Sequence, residues 1–402
     1  MIEKALAELT LNITDGKHGD CRGKDDSGYY FISCKDIREG QIHYEDARQI
    51  IEEDFWDTHK RTRLEPDDIL VTNSGTIGRM AFVRDVPLTY RTTFQKSVAI
   101  VKPDKAKIFP KYLYYQLQNC VDDFINRSNG AAQKNLLLST MRAFKMNIHE
   151  DEDLQMHIAA ILSAYDDLIE NNQKQIKLLE EAAQRLYKEW FVDLRFPGHE
   201  TTPIVDGIPE GWSMCTAGNV IEFNPKTPLK KGCIKQSVPM TALSTSSMVL
   251  NSSEFTMTES NSGAKFRNGD TLLARITPCL ENGKTAFVAG ITSEEGAVGS
   301  TEFIVMRAKK INPYMVYLLA RTEEFRKTAI NSMTGSDGRQ RAQVDKIMQF
   351  PYLLAPQSTL EAFSQLVEPI FEQVYLKNGQ IAQLSQARDR LLPKLMSGEI
   401  EV

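Results

Sequence analysis

Apolar residues in this chain fall into two patterns. Most occur as short runs bounded by glycine, proline, asparagine or aspartate, such as Ile69-Leu70-Val71 after Pro66-Asp67-Asp68, which is the grammar of buried strands between turns. Two stretches differ. Ile158, Leu162, Tyr165, Ile169, Asn172, Ile176, Leu179, Ala183, Leu186 and Trp190 follow one another at alternating intervals of four and three. That spacing predicts a long helix with a coiled-coil seam rather than a merely amphipathic surface. Adding 205 to each number gives Phe363, Val367, Ile370, Val374, Lys377, Ile381, Leu384, Arg388, Leu391 and Leu395, and the seam returns, mostly apolar again. At ~1.5 Å per residue, each helix of roughly 38 residues reaches about 57 Å. Two such seams in one chain are expected to pack on each other, antiparallel.

The same offset runs through the strand-rich segments. Pro66-Asp67-Asp68-Ile69-Leu70-Val71 is similar to Asn268-Gly269-Asp270-Thr271-Leu272-Leu273, a polar turn leading into a strand. Ile77-Gly78-Arg79-Met80-Ala81-Phe82-Val83 is similar to Asn282-Gly283-Lys284-Thr285-Ala286-Phe287-Val288, a glycine turn opening a second strand. Pro110 and Pro313 each stand near a helix start, where a missing N–H costs nothing. Asn129-Gly130 matches Thr334-Gly335. A repeat this long means two copies of a whole domain plus its connector. The predicted division is a first domain over 1–150, a helical spacer and linker over 151–199, a second domain over 200–355 and a second helical spacer over 356–402. The fold class is α+β: two similar α/β domains related by a pseudo-twofold axis and separated by two long antiparallel coiled-coil helices. Polar Asn172 and Lys377 at equivalent seam positions read either as tolerated residues near solvent or as a register device.

The net charge of −5 argues against nucleic acid until it is divided along the chain. Residues 151–199 hold 5 basic and 10 acidic side chains, whereas 1–150 hold 22 of each. The acid therefore gathers on the first predicted helix, and the domains are free to carry a basic face. Six scattered cysteines form no Cys-x-x-Cys pair and read as reduced thiols. With no secretory signal and no apolar run near ~18 residues, a cytoplasmic location without membrane contact is expected.

A search for catalytic chemistry finds none. Asn312-Pro313-Tyr314 falls one proline short of an amine-methylating clamp and reads better as a helix start. Gly283-Lys284-Thr285 ends like a phosphate loop, but Pro278 stands where its first glycine belongs and the string lies between strands. The six histidines show no metal spacing.

Several segments resemble the specificity subunit of type I restriction-modification systems. They are Leu9-Thr10-Leu11-Asn12-Ile13-Thr14-Asp15-Gly16-Lys17-His18-Gly19-Asp20 at the opening, Leu186-Tyr187-Lys188-Glu189-Trp190-Phe191-Val192-Asp193-Leu194-Arg195-Phe196-Pro197-Gly198 at the end of the first helix, Ile208-Pro209-Glu210-Gly211-Trp212 before the second domain, and Leu391-Leu392-Pro393-Lys394-Leu395-Met396-Ser397-Gly398-Glu399-Ile400 at the close. The resemblance implies two target recognition domains, each reading one half of a split DNA site. It implies helices that set the spacing and dock two modification subunits, with two restriction subunits completing the complex. It further implies no catalysis and no cofactor in this chain, with S-adenosylmethionine, ATP and Mg held by the partners. Two other readings remain open: a protein-interaction scaffold built on the paired coiled coil, and a standalone DNA-modifying enzyme.

DNA contact needs Lys or Arg for phosphates and Arg, Lys, Asn or Gln for base edges. In the first domain the candidates are Lys60, Arg61 and Arg63 in a basic run read as a loop, Arg79 after a glycine-rich turn, and Gln133, Lys134 and Asn135. In the second they are Arg275, Lys284, Arg339, Gln340 and Arg341, with Lys226, Lys230, Lys231 and Lys235 as a looser basic stretch. The copies diverge most in these loops, so two different half-sites, asymmetric overall, are expected.

Overall fold

The computed structural model describes residues 1–130, 134–336 and 338–402. Its contacts divide the chain into two compact units, Met1–Leu168 with Leu384–Val402, and Ile169–Gln383. Each unit thus holds one strand-rich domain together with parts of both long helices.

In the first unit an antiparallel sheet runs in the order Thr10–Asp15, Val98–Pro103, Ile69–Thr72, Met80–Phe82. Its central strands are apolar on both faces, and Ile69, Leu70, Val71, Val98, Ala99, Ile100 and Val101 are all buried. Tyr30–Ile32 and Thr92–Phe94 pair in parallel beside it, and Ile2–Ala5 pairs antiparallel with Lys145–Ile148. Pro110 opens the helix Pro110–Asn119, whose Tyr112, Leu113, Tyr115 and Leu117 enter the core.

The second unit repeats the main sheet strand for strand. Its sheet runs Ile221–Phe223, Phe303–Ala308, Thr271–Ala274, Thr285–Phe287. The registers agree too: Val98 faces Thr72 as Phe303 faces Ala274, and Ile69 faces Phe82 as Thr271 faces Phe287. Lys235–Val238 and Ala297–Gly299 form the corresponding parallel pair, and Ser213–Thr216 pairs with Pro351–Leu354. The repeated polar turn has a physical purpose. Buried Asp68 accepts from the Lys102 ammonium at 2.6 Å and the Glu65 N–H at 2.8 Å. Buried Asp270 accepts from both Nε and Nη2 of Arg307 at 2.7 Å and from the Arg267 N–H at 2.8 Å. In both copies a cation on the neighbouring strand compensates a buried carboxylate, as burial of charge requires.

The long helices are Glu152–Tyr187, followed by a wider turn over Lys188–Val192, and Gln357–Ser397. In the first unit Ile158 and Leu162 share a core with Leu395 and Met396, and Asp166 meets Arg388 at 2.7 Å. In the second, the rings of Tyr187, Trp190 and Phe191 lie 6.1, 5.5 and 4.8 Å from Phe363. In the first unit the two segments therefore run antiparallel.

Of the seam positions, Ile158, Leu162, Ile169, Asn172, Ile176, Val367 and Val374 are buried, and Leu179, Leu186, Ile370, Lys377, Ile381, Leu384 and Leu391 are half-buried. Burial of Asn172 corrects its reading as a residue near solvent. The periodic pattern also conceals Pro369, which stands inside Gln357–Ser397 and deprives the Gln365 carbonyl of its helical donor. Among the described residues no helix is long and apolar enough to cross a membrane.

Candidate nucleic-acid interface

At one end of the first unit's sheet, separate loops are joined by backbone hydrogen bonds. The Thr72 N–H donates to the Arg79 carbonyl at 2.8 Å, closing the turn between Ile69–Thr72 and Met80–Phe82. The Asn73 N–H donates to Ser97 O at 3.0 Å, the Leu136 N–H to Asn73 O at 2.8 Å, and the Gly75 N–H to Lys134 O at 3.3 Å. The turn needs its glycines. Gly78 has φ +87°, and a Cβ there would lie 2.6 Å from Val121 Cγ1.

The second unit makes the same four bonds. Ala274 N–H donates to Lys284 O at 3.0 Å, Arg275 N–H to Glu302 O at 2.9 Å, Ala342 N–H to Arg275 O at 2.8 Å, and Thr277 N–H to Gln340 O at 3.1 Å. Paired bridges complete the match. Ser74 and Asn129 each meet Asn135, as Ile276 and Thr334 each meet Arg341. One backbone frame is thus built twice with different side chains. Arg79 corresponds to Lys284, Asn73 to Arg275, Ser97 to Glu302, Lys134 to Gln340, and Asn135 to Arg341.

The frame brings together most of the candidates. Arg79, Lys134, Asn135 and Arg339 are exposed on it, and Gln340 and Arg341 are half-buried. Gln133 lies outside the described residues. Arg341 is already engaged. Its Nε lies 3.0 and 2.9 Å from the two Glu302 oxygens, and its Nη2 lies 2.6 Å from Oε1. Those hydrogen bonds hold the Glu302 carboxyl below the usual carboxylate range, and the carboxylate in turn raises the Arg341 guanidinium. Arg275 Nε approaches Glu302 at 3.8 Å, with no hydrogen-bond partner. Lys284 Nζ donates to Met240 O at 3.0 Å.

The basic run at 59–63 is not a loop. Lys60 and Arg61 end the helix Glu52–Thr62, and Thr62 is buried against Thr93, their hydroxyls 2.9 Å apart. The run had looked like a loop because its cations mask the apolar spacing of Phe55, Thr58 and Thr62, the residues that face the core. Arg61 pairs with Asp15, and Arg63 with Glu65 at 3.4 Å, so Lys60 and Arg61 remain exposed beside the opening segment. Burial lowers the His59 imidazole pKa, with Arg63 and Lys102 adding to the effect.

The looser stretch turns partly inward, for Lys235 is buried with Nζ on Glu259 O at 3.1 Å, and Lys230 pairs with Glu295. Sequence reasoning missed Glu302, Ser97, Asn73 and the Lys17–Lys96 pair, in which Lys96 N–H donates to Lys17 O at 3.1 Å. A signal existed for one pair, because the 205-residue offset that aligned the helices also carries Ser97 onto Glu302.

The fold and its loops define a class: a duplicated strand-rich recognition domain, each copy followed by a long helix. Residues 20–181 match the Type I restriction modification DNA specificity domain. The chain is 27% identical to the type I restriction enzyme MjaIX specificity subunit of Methanocaldococcus jannaschii, over 83% of this chain and 78% of that protein. It is 32% identical to the EcoAI specificity subunit of Escherichia coli, over 40% of this chain and 28% of that protein. A type I restriction-modification S subunit from M. genitalium shares the fold, with a TM-score of 0.55 and 14% identity over 98% of this chain and 96% of that one. The chain is thus similar to type I restriction specificity subunits in its first half by family model, over most of its length by sequence, and throughout by fold.

Proposed function

We propose that this protein supplies the DNA sequence specificity of a type I restriction-modification complex, each repeat reading its own short stretch of duplex through the doubled loop frame. The observation that carries the reading is the set of four matched backbone hydrogen bonds bearing unmatched side chains. A frame held constant fixes where side chains stand, and changed side chains alter what is read. The candidates fit both tasks. Arg79 and Lys134 suit phosphates, and Asn135, Gln340 and Arg341 suit base edges. On this reading the site is bipartite and asymmetric, and the chain performs no chemistry. Methyl transfer with S-adenosylmethionine, and cleavage with ATP and Mg, belong to two modification and two restriction subunits that dock on it.

Titration of labelled duplex with the full chain tests this. Affinity is expected to fall with salt along a line whose slope counts the phosphates neutralised, and random duplex is expected to bind more weakly than duplex recovered by selection. Binding that ignores both salt and sequence would favour the scaffold reading.

A further inference from the structure

Glu302 is the side chain on the second frame that the proposed function leaves unexplained. A carboxylate on a DNA-facing surface repels phosphate, so its place among cations calls for a reason. Its geometry suggests one. It engages Arg341 through Nε and Nη2, and among the described residues no partner takes the two Nη1 protons or the second Nη2 proton. Those remaining donors point away from the carboxylate as a planar fork. The backbone beneath is fixed as well. Arg341 N–H donates to Thr334 O at 2.9 Å, Thr334 N–H returns to Arg341 O at 3.1 Å, and Gln343 Nε2 spans Thr334 Oγ1 at 2.7 Å and Arg341 O at 3.0 Å. The Glu302 side chain is only 21% exposed, against 43% for Arg341, so the acid sits behind and the fork in front.

Resting on the DNA-reading role, we infer that Arg341 reads a guanine in the second domain's half-site and that Glu302 is its positioning residue, orienting the fork and biasing it toward a base and away from phosphate. The Arg341–Glu302 pair taken by itself is nearly neutral, with Arg275 standing 3.8 Å from the same carboxylate as the remaining cation of the cluster. Phosphate, a full negative charge, gains little from it and is repelled by the carboxylate behind. The guanine edge is uncharged and offers O6 and N7 as two acceptors, which a held guanidinium meets with two donors. The first unit has Ser97 and Asn135 at the equivalent places, which form no such pair, so this guanine preference belongs to one half-site only.

The test is selection of bound duplexes from a randomised library by the full chain, comparing wild type with Arg341→Lys, Arg341→Ala and Glu302→Gln. Wild type is expected to recover a guanine at one position of one half-site. Both Arg341 variants should lose that preference by about ten-fold or more while the rest of the consensus stands, since lysine keeps the charge but lacks the fork. Glu302→Gln should relax the same position and steepen the salt dependence on random duplex by roughly one phosphate. Unchanged consensus in the Arg341 variants, with weaker binding to all sequences and a shallower salt slope, would make Arg341 a phosphate ligand and overturn the inference alone. Absence of any consensus from wild type would overturn the inference together with the DNA-reading role.

Discussion

Glu180 stands on a charged helix, yet its side chain is half-buried, and one of its oxygens accepts from Ser247 Oγ at 2.9 Å and from the Met248 N–H at 2.8 Å. Burial raises its carboxyl above the usual carboxylate range, against the opposing pull of those two donors and of Arg321. A carboxyl with a raised folded pKa favours the folded state below its unfolded value and loses that contribution as pH rises through the folded one. Glu180→Gln keeps an oxygen for both bonds and removes the charge. Its unfolding midpoint is expected to equal or exceed that of wild type at pH 8, with the difference shrinking toward pH 4. A variant destabilised equally at both pH values would show that the carboxylate's charge has no part in stability. Nothing in the helical pattern separates Glu180 from its solvated neighbours; only packing does. Arg341 is the converse case, since its residue type made it a candidate for DNA contact but gave no sign of the acid holding it.

Among the elements, the helices were the most legible, because a four-three period sustained over ten positions is the mark of helices that pair along a seam. Two long helices stand where the pattern puts them, and in the first unit they pair antiparallel. What the period could not show is how the seams are filled. In the first unit Asp166 accepts from Arg388 at 2.7 Å and from Tyr115 Oη at 2.6 Å. The 205-residue offset places Phe371 and Ala183 at the equivalent positions, and there Phe371 packs against Phe287, Tyr314 and Tyr317 with centroids 5.1, 4.8 and 5.8 Å away. Asp166→Ala strands two donors and is expected to cost about 1–3 kcal/mol. Phe371→Ala opens a cavity in an aromatic cluster and is expected to cost ~3–5 kcal/mol. Chemical denaturation of each variant reads both numbers, and a neutral Asp166→Ala would mean that the polar contact contributes nothing. The short helix Glu52–Thr62 was missed because its charged face dominates eleven residues and only Phe55, Thr58 and Thr62 are fully buried.

For the whole molecule, the duplication was legible from turn and strand motifs alone, and it extends to strand order, register and the buried aspartate of each polar turn. The loop frame was not legible. Its hydrogen bonds join residues such as Asn73, Ser97 and Leu136, which no local pattern connects, although each half of the frame could be aligned with the other by its offset. Family resemblance suggested the proposed role, and the frame offers a physical account of how one architecture, used twice, would serve two targets.

The central claim is that the two frames read separate parts of the DNA. The most direct test is duplex selection with the full chain carrying alanine at Lys134 and Asn135, set beside the chain carrying alanine at Gln340 alone. Two blocks of consensus are predicted, with the first variant degrading one block and the second degrading only the other. A single block, or both variants eroding the same positions, would contradict the account.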